Sequence, residues 1–173
     1  MKINLTNEIE ALVAWREERH LSAESQAAGF KGNFFEEVAE FYRATNDHER
    51  VDALCDMLVF LINANDIIIT NKKEVFELKV PSWYGVKSCE LLLNNVITLV
   101  AKCGCAGDGR VQANYLLTAI MLLGYNPQKC LAETIKEISS RTGSFDESIN
   151  KFVKDTSDEA KAKWYKADYS KCK

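Results

Sequence analysis

The sequence predicts an all-α helical bundle, on three observations. Apolar residues recur at helical spacing through most of the chain. Only two prolines, Pro81 and Pro127, stand among 173 residues, so little interrupts a helical backbone. Short stretches rich in Asn, Asp, Ser and Gly separate the periodic segments. The length suits a single domain, 1–173. A hydrophobic content of 47% beside 27% charged residues is enough to fill a core and still face water.

The elements follow in order. Residues 4–19 place Leu5, Ile9, Leu12, Val13 and Trp15 at the spacing of an amphipathic helix. Leu21 and Ser22 open a short helical piece, which the glycine-containing stretch 29–33 is expected to break. Residues 34–44 and 49–67 read as two strong helices. The joint between them, Thr45-Asn46-Asp47-His48, is so short that the two are expected to be antiparallel neighbours. Segments 67–69 and 75–80 read either as short strands or as helix followed by loop, and 81–85 as a loop. A helix at 86–101, a Gly-rich turn at 103–109 and a helix at 111–123 come next. Asn126 is placed to cap a helix over 128–139, with Pro127 at its first position. The rest, 143–173, reads as a polar, Lys-rich tail with a short helix at 157–164.

Charge and composition exclude several classes. Twenty-two basic residues against 25 acidic give a net charge of −3, with no basic excess to hold a phosphate backbone, so no nucleic-acid partner is expected. The longest apolar runs, 57–62 and 115–123, are far short of a membrane span. Six cysteines without a secretion signal predict reduced thiols and a cytoplasmic chain. Only Cys103 and Cys105 are closely spaced, and they suggest a thiol sensor as one minor reading.

The informative segment is 34–64. Glu37 and Glu40 are three residues apart, which on a helix puts them roughly 60° from each other on one face. Glu36 lies four before Glu40 and shares that edge, with Phe34, Phe35, Val38 and Phe41 around the three. Carboxylates so close repel one another, and a bound cation turns the repulsion into attraction. In the next helix Glu49, Asp52, Asp56 and Asn63 form a narrow polar stripe in apolar surroundings. A carboxylate in the place of Asp56 is costly unless paired, protonated or metal-bound. Two antiparallel helices offering carboxylates inward make a hard-oxygen site suited to Mg²⁺, with Mn²⁺ as a substitute. Glu36, Glu37 and Glu40 taken alone also read as a solvated face, which leaves Asp56 unexplained.

The run Glu36-Glu37-x-x-Glu40, a short gap, then Asp52-Ala53-Leu54-Cys55-Asp56 followed by Met57-Leu58-Val59-Phe60 resembles the all-α nucleotide pyrophosphohydrolases, the group of MazG, phosphoribosyl-ATP pyrophosphohydrolases and dimeric dUTPases. The family pattern is E-E-x-x-E followed by E-x-x-D, and Glu37, Glu40 and Asp56 match its spacing. The expected second-helix Glu falls on Ala53; Asp52 or Glu49 is left to supply that carboxylate. The likeness covers 30–65 well and 110–173 more loosely, through Gly124-Tyr125-Asn126-Pro127 and Lys136 to Arg141.

The resemblance implies a four-helix MazG-like core, assembled as a homodimer or homotetramer, and a Mg²⁺-dependent enzyme. Such an enzyme cleaves a (deoxy)nucleoside triphosphate between the α and β phosphates. It further implies Glu37, Glu40 and Asp56 as metal ligands and Arg141 toward the substrate; the residues themselves add Asp52 as the fourth ligand, Glu36 and Glu37 in catalysis, and Lys31 and Asn63 toward the substrate. Phosphoribosyl-ATP pyrophosphohydrolase is the rival enzyme. Ala53 keeps open a non-catalytic helical module that binds metal or a protein partner.

Overall fold

The computed structural model describes residues 1–65, 75–78, 88–106, 108–149 and 151–173. Among them seven α-helices carry the fold, and four short strands form two separate two-stranded sheets. The all-α expectation therefore holds for the body of the described chain, with two small antiparallel β pairs added to it.

The first of these replaces the opening of the expected 4–19 helix. Strand β1 (Lys2–Asn4) precedes helix α1 (Thr6–Glu18). The Asn4 side chain accepts hydrogen bonds from the Thr6 N–H at 3.0 Å and the Thr6 hydroxyl at 2.6 Å, a local turn that stops the strand. β1 pairs antiparallel with β2 (Val75–Glu77). Ile3 sits opposite Phe76 with both buried, and Lys2 sits opposite Glu77 in solvent. The strand reading for 75–80 thus holds at 75–77, whereas the readings at 67–69 and 81–85 lie outside the described residues.

Helix α2 (Ala23–Arg43) is unbroken, which corrects the expected interruption at 29–33. A β-carbon at Gly29 would meet only the Asn33 side chain, at 3.6 Å, and one at Gly32 would meet nothing, so neither glycine marks a turn. Each weakens the helix by about 1 kcal/mol relative to Ala. Burial of Phe30 and Phe34 outweighs that, at about 1.5–3 kcal/mol per side chain.

Helix α3 (Asp47–Ala64) begins with a reciprocal cap: the Asn46 side chain accepts from the Glu49 N–H at 3.1 Å, and Glu49 Oε2 accepts from the Thr45 N–H at 2.6 Å. From Val51 onward every residue of α3 is buried except Asp52, Asp56 and Phe60. It is the central helix, packed by α1, by α2 along much of its length, and by two later helices, α5 (Gly109–Leu122) and α6 (Pro127–Ser140). Helix α4 (Ser88–Cys103) leads through a 3₁₀ turn (Gly104–Ala106) to α5, against which it packs. Asn126 caps α6 through the Lys129 N–H at 3.1 Å, with Pro127 in its first turn, as expected.

The tail is more ordered than its Lys-rich composition implies. Strands β3 (Gly143–Asp146) and β4 (Lys151–Lys154) form a hairpin, followed by α7 (Asp158–Lys161) and a 3₁₀ turn (Tyr169–Cys172). Gly143 is required in the hairpin, because a β-carbon there would lie 2.3 Å from the Val153 carbonyl oxygen. Tyr169 and Cys172 join the same hydrophobic core as Ile3, Phe34 and Leu117, so the end of the described chain is packed onto the bundle.

Candidate functional site

The carboxylates meet between α2 and α3. Glu37 feels Asp56 more strongly than any other charged neighbour, and Glu40 acts on both Asp52 and Asp56. Moving back along α2 therefore means moving forward along α3, the antiparallel arrangement expected from the short joint. Glu37 is half-buried, and its Oε2 is buried with no hydrogen-bond partner. Loss of water, followed by repulsion from Asp56, Glu40, Asp52 and Glu36, pushes its carboxyl up to about 8. Asp56 is pushed up to about 7, by desolvation first and by Asp52 next, with Arg141 opposing the rise. Asp52 is also raised by desolvation, partly offset by a hydrogen bond from Tyr169.

Two of these neighbours were not singled out in the sequence. Glu137 of α6 lies close enough to raise both Asp52 and Asp56. Its Oε1 accepts from Arg141 Nη2 at 2.6 Å, and its Oε2 accepts from the Ala167 N–H at 2.8 Å. Tyr169, from the last 3₁₀ turn, donates its hydroxyl to Asp52 Oδ1 at 2.6 Å. A cleft of about 280 Å³ opens beside this group, with Asp52, Glu137, His48, Lys166 and Tyr169 in its wall. A second, of about 320 Å³, also reaches Asp52 and has Glu40, Arg43 and Glu49 in its wall.

The other expected site residues divide. Arg141 belongs to the cluster: it is paired to Glu137, lies near Asp52 and Asp56, and leaves its Nε buried without a partner. Glu36 is exposed at the rim, where it adds to the repulsion on Glu37. Asn63 is buried two helical turns beyond Asp56, with its side-chain oxygen unpartnered. Lys31 is turned elsewhere, its ammonium donating to the Ala101 carbonyl at 3.3 Å at the C-terminal end of α4. Glu49 is exposed and engaged in the α3 cap, whereas Asp52 faces Glu40 and Glu137, so the carboxylate nearest the gap left by Ala53 is Asp52.

The donor set fits a hard divalent cation in chemistry. It consists of carboxylates only, and one buried oxygen, Glu37 Oε2, lacks a donor. Among the described residues no three Asp, Glu, His or Cys side chains converge closely enough to hold a metal ion. Side-chain rotation of these carboxylates is therefore needed to enclose one. The chain matches no family model, no curated protein and no solved structure.

The cysteines stand apart from this chemistry. Cys103 is exposed and Cys105 partly so, while Cys55, Cys89, Cys130 and Cys172 are buried, and all six are free thiols. Burial raises the Cys89 thiol to about 12. Titration of the native protein with a chromogenic aromatic disulfide is expected to show two thiols reacting promptly and four only on unfolding. More than two prompt thiols would contradict this packing.

Proposed function

We propose that the chain is a Mg²⁺-dependent (deoxy)nucleoside triphosphate pyrophosphohydrolase, releasing nucleoside monophosphate and pyrophosphate. The observation that carries the reading is the group Glu37, Glu40, Asp52 and Asp56. It spans two helices, is repulsive by itself, and has a buried oxygen of Glu37 left without a donor. Carboxylates held in this way lower stability, and such arrangements cluster at sites where charge is to be handled. Glu37, Glu40, Asp56 and Asp52 are the residues that would hold Mg²⁺. The ion supplies charge neutralisation and orientation of the polyphosphate.

The chain's own residues account for the other requirements. Glu37 holds a proton in the cation-free chain, and a bound Mg²⁺ would displace it and leave the carboxylate as a ligand. Glu36, exposed at the rim, is the carboxylate available to orient and deprotonate the attacking water. Arg141, buried at Nε and beside Asp52 and Asp56, brings positive charge to where phosphate oxygens would lie. A MazG-like four-helix core and a homodimeric or homotetrameric assembly belong to the same reading.

The test is pyrophosphate release across the common dNTPs, NTPs and phosphoribosyl-ATP, with Mg²⁺ and then Mn²⁺. Release of pyrophosphate from at least one nucleotide, dependent on the cation, is the expected result. Two observations favour a second reading, a non-catalytic metal-binding or interaction module: Asp52 is already held by Tyr169, and among the described residues no three ligands converge. Cation binding without turnover of any nucleotide in the panel would move that reading ahead.

A further inference from the structure

Three of the four buried cysteines meet where α3, α6 and the last 3₁₀ turn pack together. Cys55 comes from the middle of α3, Cys130 from the first turn of α6, and Cys172 from the turn Tyr169–Cys172. All three belong to the hydrophobic core. The backbone holds two of them against each other through Asn126. Its carbonyl accepts from the Cys130 N–H at 3.0 Å, and its N–H donates to the Cys172 carbonyl at 2.6 Å. The Cys130 thiol shares hydrogen bonds with the thiols of both Cys55 and Cys172. A cysteine buried alone serves as a small hydrophobe. Two thiols in contact on separate elements can also give up two hydrogens and become one bond.

The trio is not symmetric. Cys130 has two S–H donors beside it, which favour its thiolate and hold it below the usual thiol range. Burial pushes Cys172 up to about 12, so it keeps its proton. Cys130 is therefore the nucleophile and its neighbour the resolving thiol. Closing a thiol contact to a disulfide of about 2.05 Å requires one element to move. α3 is the central helix, packed by four others, whereas Cys172 lies on a four-residue turn. The turn is the element that yields, so the partner is Cys172 and not Cys55. Burial keeps an aromatic disulfide reagent out. Hydrogen peroxide, little larger than water, passes through the small openings of such a turn.

We propose that Cys130 and Cys172 form a redox switch: peroxide joins them in a disulfide that clamps the turn Tyr169–Cys172 onto α6, and small thiols reopen it. The Cys130 sulfur attacks one peroxide oxygen and the O–O bond breaks. The departing hydroxide takes the proton that Cys130 gave up and leaves as water, and Cys130 becomes a sulfenic acid. The Cys172 sulfur then attacks the Cys130 sulfur and the S–O bond breaks. That hydroxide takes the Cys172 proton and leaves as a second water. Two thiols lose two electrons and two hydrogens, and one peroxide becomes two waters. Two equivalents of a small thiol reverse the bond by exchange and leave as their own disulfide. The turn carries Tyr169, part of the wall of the 280 Å³ cleft, so the clamp fixes that wall.

The experiment uses the full chain carrying Cys103→Ser and Cys105→Ser, which removes the two accessible thiols. Hydrogen peroxide added to the folded protein is expected to lower its intact mass by about 2 Da. Peptide mapping without reductant should find Cys130 joined to Cys172. The thermal transition should rise by about 5–10 °C and return when dithiothreitol is added. Cys172→Ala in the same background should lose the mass change and the rise, with its melting curve in dithiothreitol as the check on folding. A protein that keeps its mass until it is unfolded overturns the switch. So does a map that joins Cys130 to Cys55, or oxidation that gains oxygen and stops at a sulfenic or sulfinic acid. A Cys130–Cys172 disulfide that leaves the melting transition unchanged overturns the clamp. Neither cation nor nucleotide enters the measurement, so its result is independent of the hydrolase reading.

Discussion

Glu37→Gln is expected to abolish pyrophosphate release and, at the same time, to make the cation-free protein more stable. The two effects share a cause. Glu37 lies where water is scarce and where Asp56, Glu40, Asp52 and Glu36 all repel its charge, and its Oε2 has no donor to compensate. Replacing the carboxylate by an amide of the same shape removes one charge from the crowd and adds N–H donors beside carboxylates that lack them. Allowing for the partial exposure of Glu37, the gain is on the order of 1–2 kcal/mol at pH 8. That corresponds to a rise of about 2–8 °C in the thermal transition for a domain of this size. On the proposed reading, the same change takes away a Mg²⁺ ligand and with it the charge neutralisation on which turnover depends. Residues selected for a site commonly lower stability in this way. Differential scanning calorimetry in chelator, beside the pyrophosphate assay, reads both effects. A variant that melts lower than wild type at pH 8 would mean that Glu37 is satisfied by a partner and serves the fold.

The helical framework was readable because helix period, caps and turn residues agree locally. Asn126 caps its helix where its position suggested, and Pro127 sits in the first turn of α6. The misreading at Gly29 and Gly32 has a plain reason. A glycine ends a helix only when the backbone needs a positive φ or a close approach, and local sequence does not say whether flanking aromatics such as Phe30 and Phe34 will be buried deeply enough to carry the helix through. The hairpin 143–154 was hidden by the opposite problem. Its strands are short and polar, and the signal that matters, Gly143 against the Val153 carbonyl, depends on pairing across the turn.

The site shows the same division. Glu37, Glu40, Asp52 and Asp56 lie on two consecutive helices, so spacing alone brings them together. Glu137 and Tyr169 reach the group from 81 and 113 residues beyond Asp56, across a fold that spacing does not encode. A faint signal existed for Glu137, four residues before Arg141 on the same helix edge. None existed for Tyr169, one aromatic residue in a Lys-rich stretch. Lys31 shows the limit from the other side: its place just before the acidic run suggested a phosphate partner, yet its ammonium is drawn to the carbonyl end of α4.

The pH dependence of stability tests the charge arrangement without any substrate. The cation-free protein is expected to be most stable near pH 5 and to lose stability as pH rises toward 8. In the folded chain Glu37 titrates at about 8 and Asp56 at about 7, against ordinary values of 4.5 and 3.8 when exposed. Between those limits the folded protein keeps protons that the unfolded chain has released, so raising the pH favours unfolding. The contribution is fully present below about pH 4 and gone above about pH 8. Glu24, Glu49, Glu133, Asp146 and Asp155 are shifted the other way, below their usual values, and oppose acidification. Glu24, Glu49, Asp146 and Asp155 are solvent-facing caps and turn acceptors, so their weight is small; Glu133 is buried beside Lys136 and Tyr165 and is the main one of the five to oppose acidification. With the half-exposed Glu37 discounted, and the repulsion between Glu37 and Asp56 counted once, the loss from pH 5 to 8 is on the order of 3 kcal/mol, or about 6–12 °C in the melting transition. Millimolar Mg²⁺ should reverse the trend. A cation competes with the protons that these carboxylates hold, so it binds poorly at pH 5 and well at pH 8, and the stabilisation it gives should grow with pH. Melting curves from pH 4.5 to 9, in chelator and in Mg²⁺, test both parts. A flat profile in chelator would mean that the carboxylates are already ionised and compensated. A Mg²⁺ effect equal at pH 5 and pH 8 would place cation binding away from Glu37 and Asp56.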